Sequence, residues 1–157
     1  MAEEKILAKE EFESYLNALG NKMVIIWFSA PWCAPCRRIK ATCLDRINKI
    51  DELQSKNIDI YSINVDDHMG LFGWLKTKRM VPGIPTLLAY YGDVKRDIWY
   101  IPDDSVSGAD VKNVNDFFDR CLKKHRQYYN MNNSNNIITN NYNDNNNDDT
   151  RPVTAPM

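Results

Sequence analysis

The sequence predicts an α/β fold: a central mixed β-sheet flanked by helices on both faces. Three observations predict it. Segments whose apolar residues recur at helical spacing alternate with short apolar runs. One run, Met23 to Phe28 (MVIIWF), has no polar residue, as a strand covered on both faces requires. Two later strand-like runs flank Gly92-Asp93, a pair of residues that favours a hairpin.

In chain order, a short strand is expected at Lys5–Ala8. A helix follows, from the spacing of Phe12, Tyr15, Leu16 and Leu19. Met23–Phe28 is the buried strand. Ile39, Cys43, Ile47 and Ile50 mark one face of a long helix that begins at Cys33 or Ala34. Ile58 to Val65 alternates as a strand, and Leu71, Phe72 and Leu75 fit a short helix. Thr86–Tyr91 and Val94–Ile101 are expected as the hairpin strands. Val111, Val114, Phe117, Phe118, Cys121 and Leu122 form a last amphipathic helix, with Lys123, Lys124, His125 and Arg126 where positive charge suits the helix dipole. Strand–helix–strand order implies a parallel centre, and the hairpin adds an antiparallel edge.

Composition changes near residue 126. The stretch Asn130–Asn147 (NMNNSNNIITNNYNDNNN) is mostly asparagine. It has too little apolar surface to offset the entropy of ordering. The expected organisation is one domain over residues 1–126 and a disordered Asn-rich tail over 127–157. A recruitment tail and simple compositional drift both fit that tail.

The 157 residues are 43% hydrophobic, enough for one domain core. A net charge of −1 gives no pull toward nucleic acid or an anionic membrane surface. The amino end, MAEEKILAKE, lacks the apolar stretch of a secretory signal, so a reducing cytoplasmic compartment is expected. There a Cys-x-x-Cys pair is catalytic or metal-binding more often than structural.

Cys33 and Cys36 form such a pair. Cys33 falls at a helix N-terminus, where unpaired N–H groups and the dipole stabilise a thiolate. Arg37, Arg38 and Lys40 add positive charge. Pro35 suits the first turn, which needs no N–H from it. Cys36 lies one turn further in, within reach of a disulfide. An outer low-pKa thiol and an inner second thiol are what thiol–disulfide exchange needs. Zinc requires two more ligands. Cys43, Cys121, His68 and His125 are not spaced as a second half-site, so no metal is expected. Cys43 and Cys121 fall on apolar helix faces, as small buried hydrophobes.

Phe28-Ser29-Ala30 followed by Trp32-Cys33-Ala34-Pro35-Cys36 resembles the active-site motif of the thioredoxin superfamily. Gly83-Ile84-Pro85-Thr86 resembles that family's cis-proline loop, and Asn64-Val65-Asp66 the end of its third strand. The resemblance covers about residues 5–125 and implies the thioredoxin-like fold. It implies that Cys33 is the attacking nucleophile and Cys36 the resolving thiol. Trp32 would cover the motif. Pro85 would be cis and place the Ile84 backbone beside the sulfurs, where an extended partner segment can add as a strand. It also implies no bound cofactor, disulfide-bearing protein substrates and a separate electron-donating reductase.

The chain departs from the family pattern. A buried aspartate six residues before the first cysteine is here Trp27, and its usual lysine partner on the third strand corresponds to Ser62. Cys36 must then lose its proton to water or another group, so slower resolution is expected. Ala34 replaces a glycine and Ala41 a kink proline, which implies a straighter helix. Tyr100–Gly108 replaces a shorter turn, and Trp99, Tyr100, Asp103 and Asp104 either alter partner choice or form a solvated loop. Disulfide reduction leads. Oxidation or isomerisation, and a non-catalytic binding module, are the alternatives.

Overall fold

The computed structural model describes residues 8–53 and 56–143. The strand expected at Lys5–Ala8 lies outside them but for Ala8, which is a bend. The chain divides into two units, Met1–His125 and Arg126–Met157.

The described elements are α1 (Lys9–Asn17), β1 (Met23–Ser29), α2 (Ala34–Glu52), β2 (Ile58–Asn64), α3 (Met69–Thr77), β3 (Thr86–Tyr91), β4 (Asp104–Ser107) and α4 (Val111–Asn143). The four strands form one mixed sheet in the order β2-β1-β3-β4. β1 pairs parallel with β2. It pairs antiparallel with β3, Phe28 opposite Thr86 and Met23 opposite Tyr91. The expected parallel centre is therefore confined to β1–β2. The reason is geometric. The chain leaves β2 and enters β3 at the same end of the sheet, so β3 must run back.

β1 is buried from Met23 through Phe28, as its unbroken apolar run requires. Its side chains alternate between two cores. Val24, Ile26 and Phe28 pack with Phe12 and Leu16 of α1 and Leu71 and Leu75 of α3. Met23, Ile25 and Trp27 pack with Ile39, Cys43 and Ile47 of α2 and Phe117, Phe118 and Cys121 of α4. The helices thus lie on both faces of the sheet. α2 runs unbroken through Ala41, where a proline would remove a backbone bond. α4 opens with Asp110, whose carboxylate accepts from the Asn113 N–H at 3.0 Å, an ordinary N-cap.

The expected hairpin partner at Val94–Ile101 is not a strand. β3 pairs instead with Asp104–Ser107, Thr86 opposite Ser107. Residues 92–103 form a long loop tied to β3 by a local ion pair. The Arg96 guanidinium donates to Asp103 at 2.8 Å and to the Tyr91 carbonyl at 2.8 Å. Asp103 Oδ2 also accepts from the Tyr91 N–H at 2.6 Å. Arg96 lies over the Tyr90 ring, 5.2 Å from its centroid. The aromatics that look strand-like in the sequence turn onto α1 and α3. Trp99 stacks on Trp74 at 5.3 Å and meets Phe12 edge-on at 5.9 Å. Gly92 has its own cause. Its N–H donates to the Lys22 carbonyl at 2.8 Å, and a Cβ there would strike the Gly20 carbonyl.

In the C-terminal unit, the expected disorder begins at residue 127, whereas α4 continues as helix to Asn143. Asparagine is a middling helix former, but extending a nucleated helix adds a hydrogen bond for each residue fixed. Residues 144–157 lie outside the described residues.

Asp103→Ala leaves Arg96 mostly buried without its carboxylate and the Tyr91 N–H without its acceptor. The expected loss of stability is about 3 kcal/mol, read from urea unfolding. A loss under about 0.5 kcal/mol would show that the pair does not hold the loop.

Candidate active site

The site forms where β1 ends. After Ser29 the chain turns, with the Cys33 N–H donating to the Ala30 carbonyl at 3.2 Å, and α2 begins at Ala34. Cys33 is its N-cap and Pro35 lies in its first turn, exposed and without loss of a helix bond. Cys33 and Cys36 are joined as a disulfide, with their Cα atoms 5.2 Å apart. The Cys36 N–H, one of the free donors of the first turn, donates to Cys33 Sγ at 3.2 Å. That donor and the helix dipole both favour negative charge on Cys33 sulfur once the disulfide is opened. Exposure does not distinguish an outer from an inner sulfur, since Cys33 is 4% and Cys36 3% exposed. Position does: Cys33 caps the helix and Cys36 lies one turn inside.

The β1–β3 register carries Pro85 to the same place, because Phe28 opposes Thr86. The Ile84–Pro85 peptide is cis. The Ile84 carbonyl lies 3.9 Å from Cys33 Sγ. The loop is pinned on both sides. The Thr86 hydroxyl donates to the Gly83 carbonyl at 2.7 Å and shares a 2.8 Å hydrogen bond with the Ser107 hydroxyl. The Gly108 N–H donates to the Pro85 carbonyl at 3.0 Å. Ser107 and Gly108 are therefore the part of the Tyr100–Gly108 segment that reaches the site. Trp99 and Tyr100 pack on Trp74 instead, Asp103 pairs with Arg96, and Asp104 binds Arg120 at 2.7 Å. Those four hold the fold.

Trp32 is 66% exposed, and its indole N–H donates to Asp66 at 2.8 Å. Asp66 is a site residue the sequence reading missed. Its own N–H is held by the Asn64 side chain at 3.1 Å, and the Asn64 carbonyl accepts from the Asp67 and His68 N–H groups. A strand ending in Asn-Val-Asp-Asp carries this turn signal. Arg37 donates to the Pro31 carbonyl at 2.9 Å and braces the turn before Cys33.

The sequence model of the thioredoxin family matches residues 3–102, well over half of the chain. The chain belongs to the thioredoxin family. It is 35% identical over 68 residues to thioredoxin domain-containing protein 8 of Rattus norvegicus, covering 43% of this chain and 50% of that one. It is 26% identical over 118 residues to the mitochondrial thioredoxin O2 of Arabidopsis thaliana, covering 74% of this chain and 65% of that one. The chain thus spans half to two thirds of the length of these curated relatives. The solved germline-specific thioredoxin Deadhead of Drosophila melanogaster shares the fold at a TM-score of 0.52 and 20% identity, over 76% of this chain and 98% of that one.

Within this thioredoxin fold, Trp27 and Ser62 face each other in the β1–β2 register. Trp27 is buried, and its indole N–H has no hydrogen-bond partner among the described residues. Both residues line a cavity that Cys36 also lines. Among the described residues no three of His, Cys, Asp and Glu converge as a metal site. No helix among them is long and apolar enough to cross a membrane.

Cys43 and Cys121 are fully buried, and burial pushes both thiols up to about 12. In the folded, reduced protein, iodoacetamide near pH 8 is expected to spare both and label them only after unfolding. The folded-state value lies above the ordinary thiol value of 9.0, so the neutral form and its stability persist below about 9. They are lost as pH rises toward 12. Rapid labelling of either cysteine in the native state at pH 8 would contradict this.

Proposed function

We propose that this chain is a thioredoxin-type protein-disulfide reductase that cycles Cys33 and Cys36 between dithiol and disulfide. One observation carries the reading most directly. Cys33 sulfur sits under the Cys36 N–H and beside the Ile84 carbonyl of a cis-proline loop. The first contact favours a thiolate, and the second offers backbone to a partner strand.

The Cys33 thiolate attacks one sulfur of a substrate disulfide, whose S–S bond breaks. One substrate thiolate leaves, and a Cys33–substrate disulfide forms. The Cys36 thiolate then attacks Cys33 sulfur. The mixed disulfide breaks, the second substrate thiolate leaves, and the Cys33–Cys36 disulfide closes. Two electrons have passed to the substrate, and solvent protonates its thiolates. A separate reductase restores the dithiol. A reducing compartment such as the cytoplasm fits this direction of flow. Trp32, fixed by Asp66, shapes the surface beside the sulfurs.

The test is catalysed reduction of a disulfide-bonded protein with dithiothreitol as electron source. The wild type is expected to accelerate it, and Cys33→Ser to abolish the acceleration. Cys36→Ser should accumulate a protein–substrate mixed disulfide visible by mass. If the double variant Cys33→Ser, Cys36→Ser supports reduction as well as the wild type, the reading is wrong.

A further inference from the structure

Resolution requires Cys36 to lose a proton, yet burial opposes ionisation of its thiol. Trp27, on the β1 side, cannot accept that proton. A cavity of about 380 Å³ nevertheless opens between α2 and the β1–β2 pair, and Cys36 lies in its wall. Ser29, Ser62 and Asn64 line the strand side, and Arg37 and Lys40 the helix side. Among the described residues, no carboxylate lines it. The volume is many times the share of one liquid water, about 30 Å³.

The two cations differ in placement. Arg37 is the next residue after Cys36 and is turned to the Pro31 carbonyl. Lys40 is four residues on, so it shares the helix face of Cys36, with Cβ atoms about 5–6 Å apart. Asp66, two residues beyond β2, is bound to the Trp32 indole.

We infer that this cavity is the route by which Cys36 gives its proton to solvent, and that Lys40 is the positioning residue that favours the Cys36 thiolate there. The inference rests on the proposed reductase cycle and names the group that acts where the sequence has Trp27 and Ser62. Water in the cavity takes the proton to bulk solvent. The Lys40 ammonium faces the developing thiolate, which attacks Cys33 sulfur and expels the substrate thiolate. Lys40 itself forms no bond and exchanges no electron.

The experiment is stopped-flow oxidation of the reduced protein by the aromatic disulfide dithiobis(nitrobenzoate). The first coloured thiolate leaves as Cys33 attacks, at a rate that rises with reagent concentration. The second leaves as Cys36 resolves, at a rate independent of it. Lys40→Met is expected to slow the second phase at pH 7 by about threefold to tenfold and to move its pH profile upward, the size held down by the exposure of Lys40. The first phase should change little, and Lys40→Arg should retain the wild-type profile. Lys40 is exposed, so these variants fold. An unchanged second phase and pH profile in Lys40→Met overturns the inference and leaves the reductase cycle standing. A wild type that releases one coloured thiolate per protein and never the second overturns the cycle, and the inference with it.

Discussion

Burial of β1 on both faces is the constraint from which the site follows. An unbroken apolar strand is stable only between two covered layers, and the two cores of this domain meet along it. Because β1 cannot shift by one residue without exchanging its two faces, its end point is fixed. Ser29, the turn at Ala30 and the Cys33 cap then fall at one place. The β3 register brings Pro85 and the Ile84 carbonyl to the same place from the other side. The chemistry is delivered by a helix N-terminus, but the strand decides where that N-terminus lies.

The surroundings of the sulfurs are asymmetric. Cys33 has backbone partners, an N–H from its own helix and a carbonyl across the loop. Cys36 lines a cavity between α2 and the β1–β2 pair, with Trp27 in its wall. A thiol at a helix cap is biased toward the thiolate by fixed dipoles, whereas a thiol one turn inside depends on what reaches it through the cavity. In the proposed exchange cycle, the two steps fall to separate parts of the structure.

What was legible in the sequence follows the range of the interaction. The Met23–Phe28 run, the α2 face at Ile39, Cys43, Ile47 and Ile50, and the Cys33 cap are local patterns, and all three stand in the structure. Pro85 was readable because its loop is a contiguous motif. The Val94–Ile101 strand failed because alternation there serves another end. Arg96 is drawn back to Asp103, and Trp99 and Tyr100 are drawn onto Trp74. The true edge strand, Asp104-Ser105-Val106-Ser107, has one apolar residue and little to announce it. Asp66 was missed as the partner of Trp32 because that bond joins residues 34 apart. The cavity beside Cys36 arises from three elements and has no signature in any one of them.

The most direct test of the account is the reduction potential of the Cys33–Cys36 pair. The protein is equilibrated in glutathione buffers and its free thiols trapped by alkylation and counted by mass, in a Cys43→Ala, Cys121→Ala background. The account predicts a single two-thiol transition on Cys33 and Cys36 near about −270 mV, as a reductase requires. A value near about −180 mV would contradict it in favour of an oxidase or isomerase, and the lack of any transition on these two cysteines would remove the redox reading altogether.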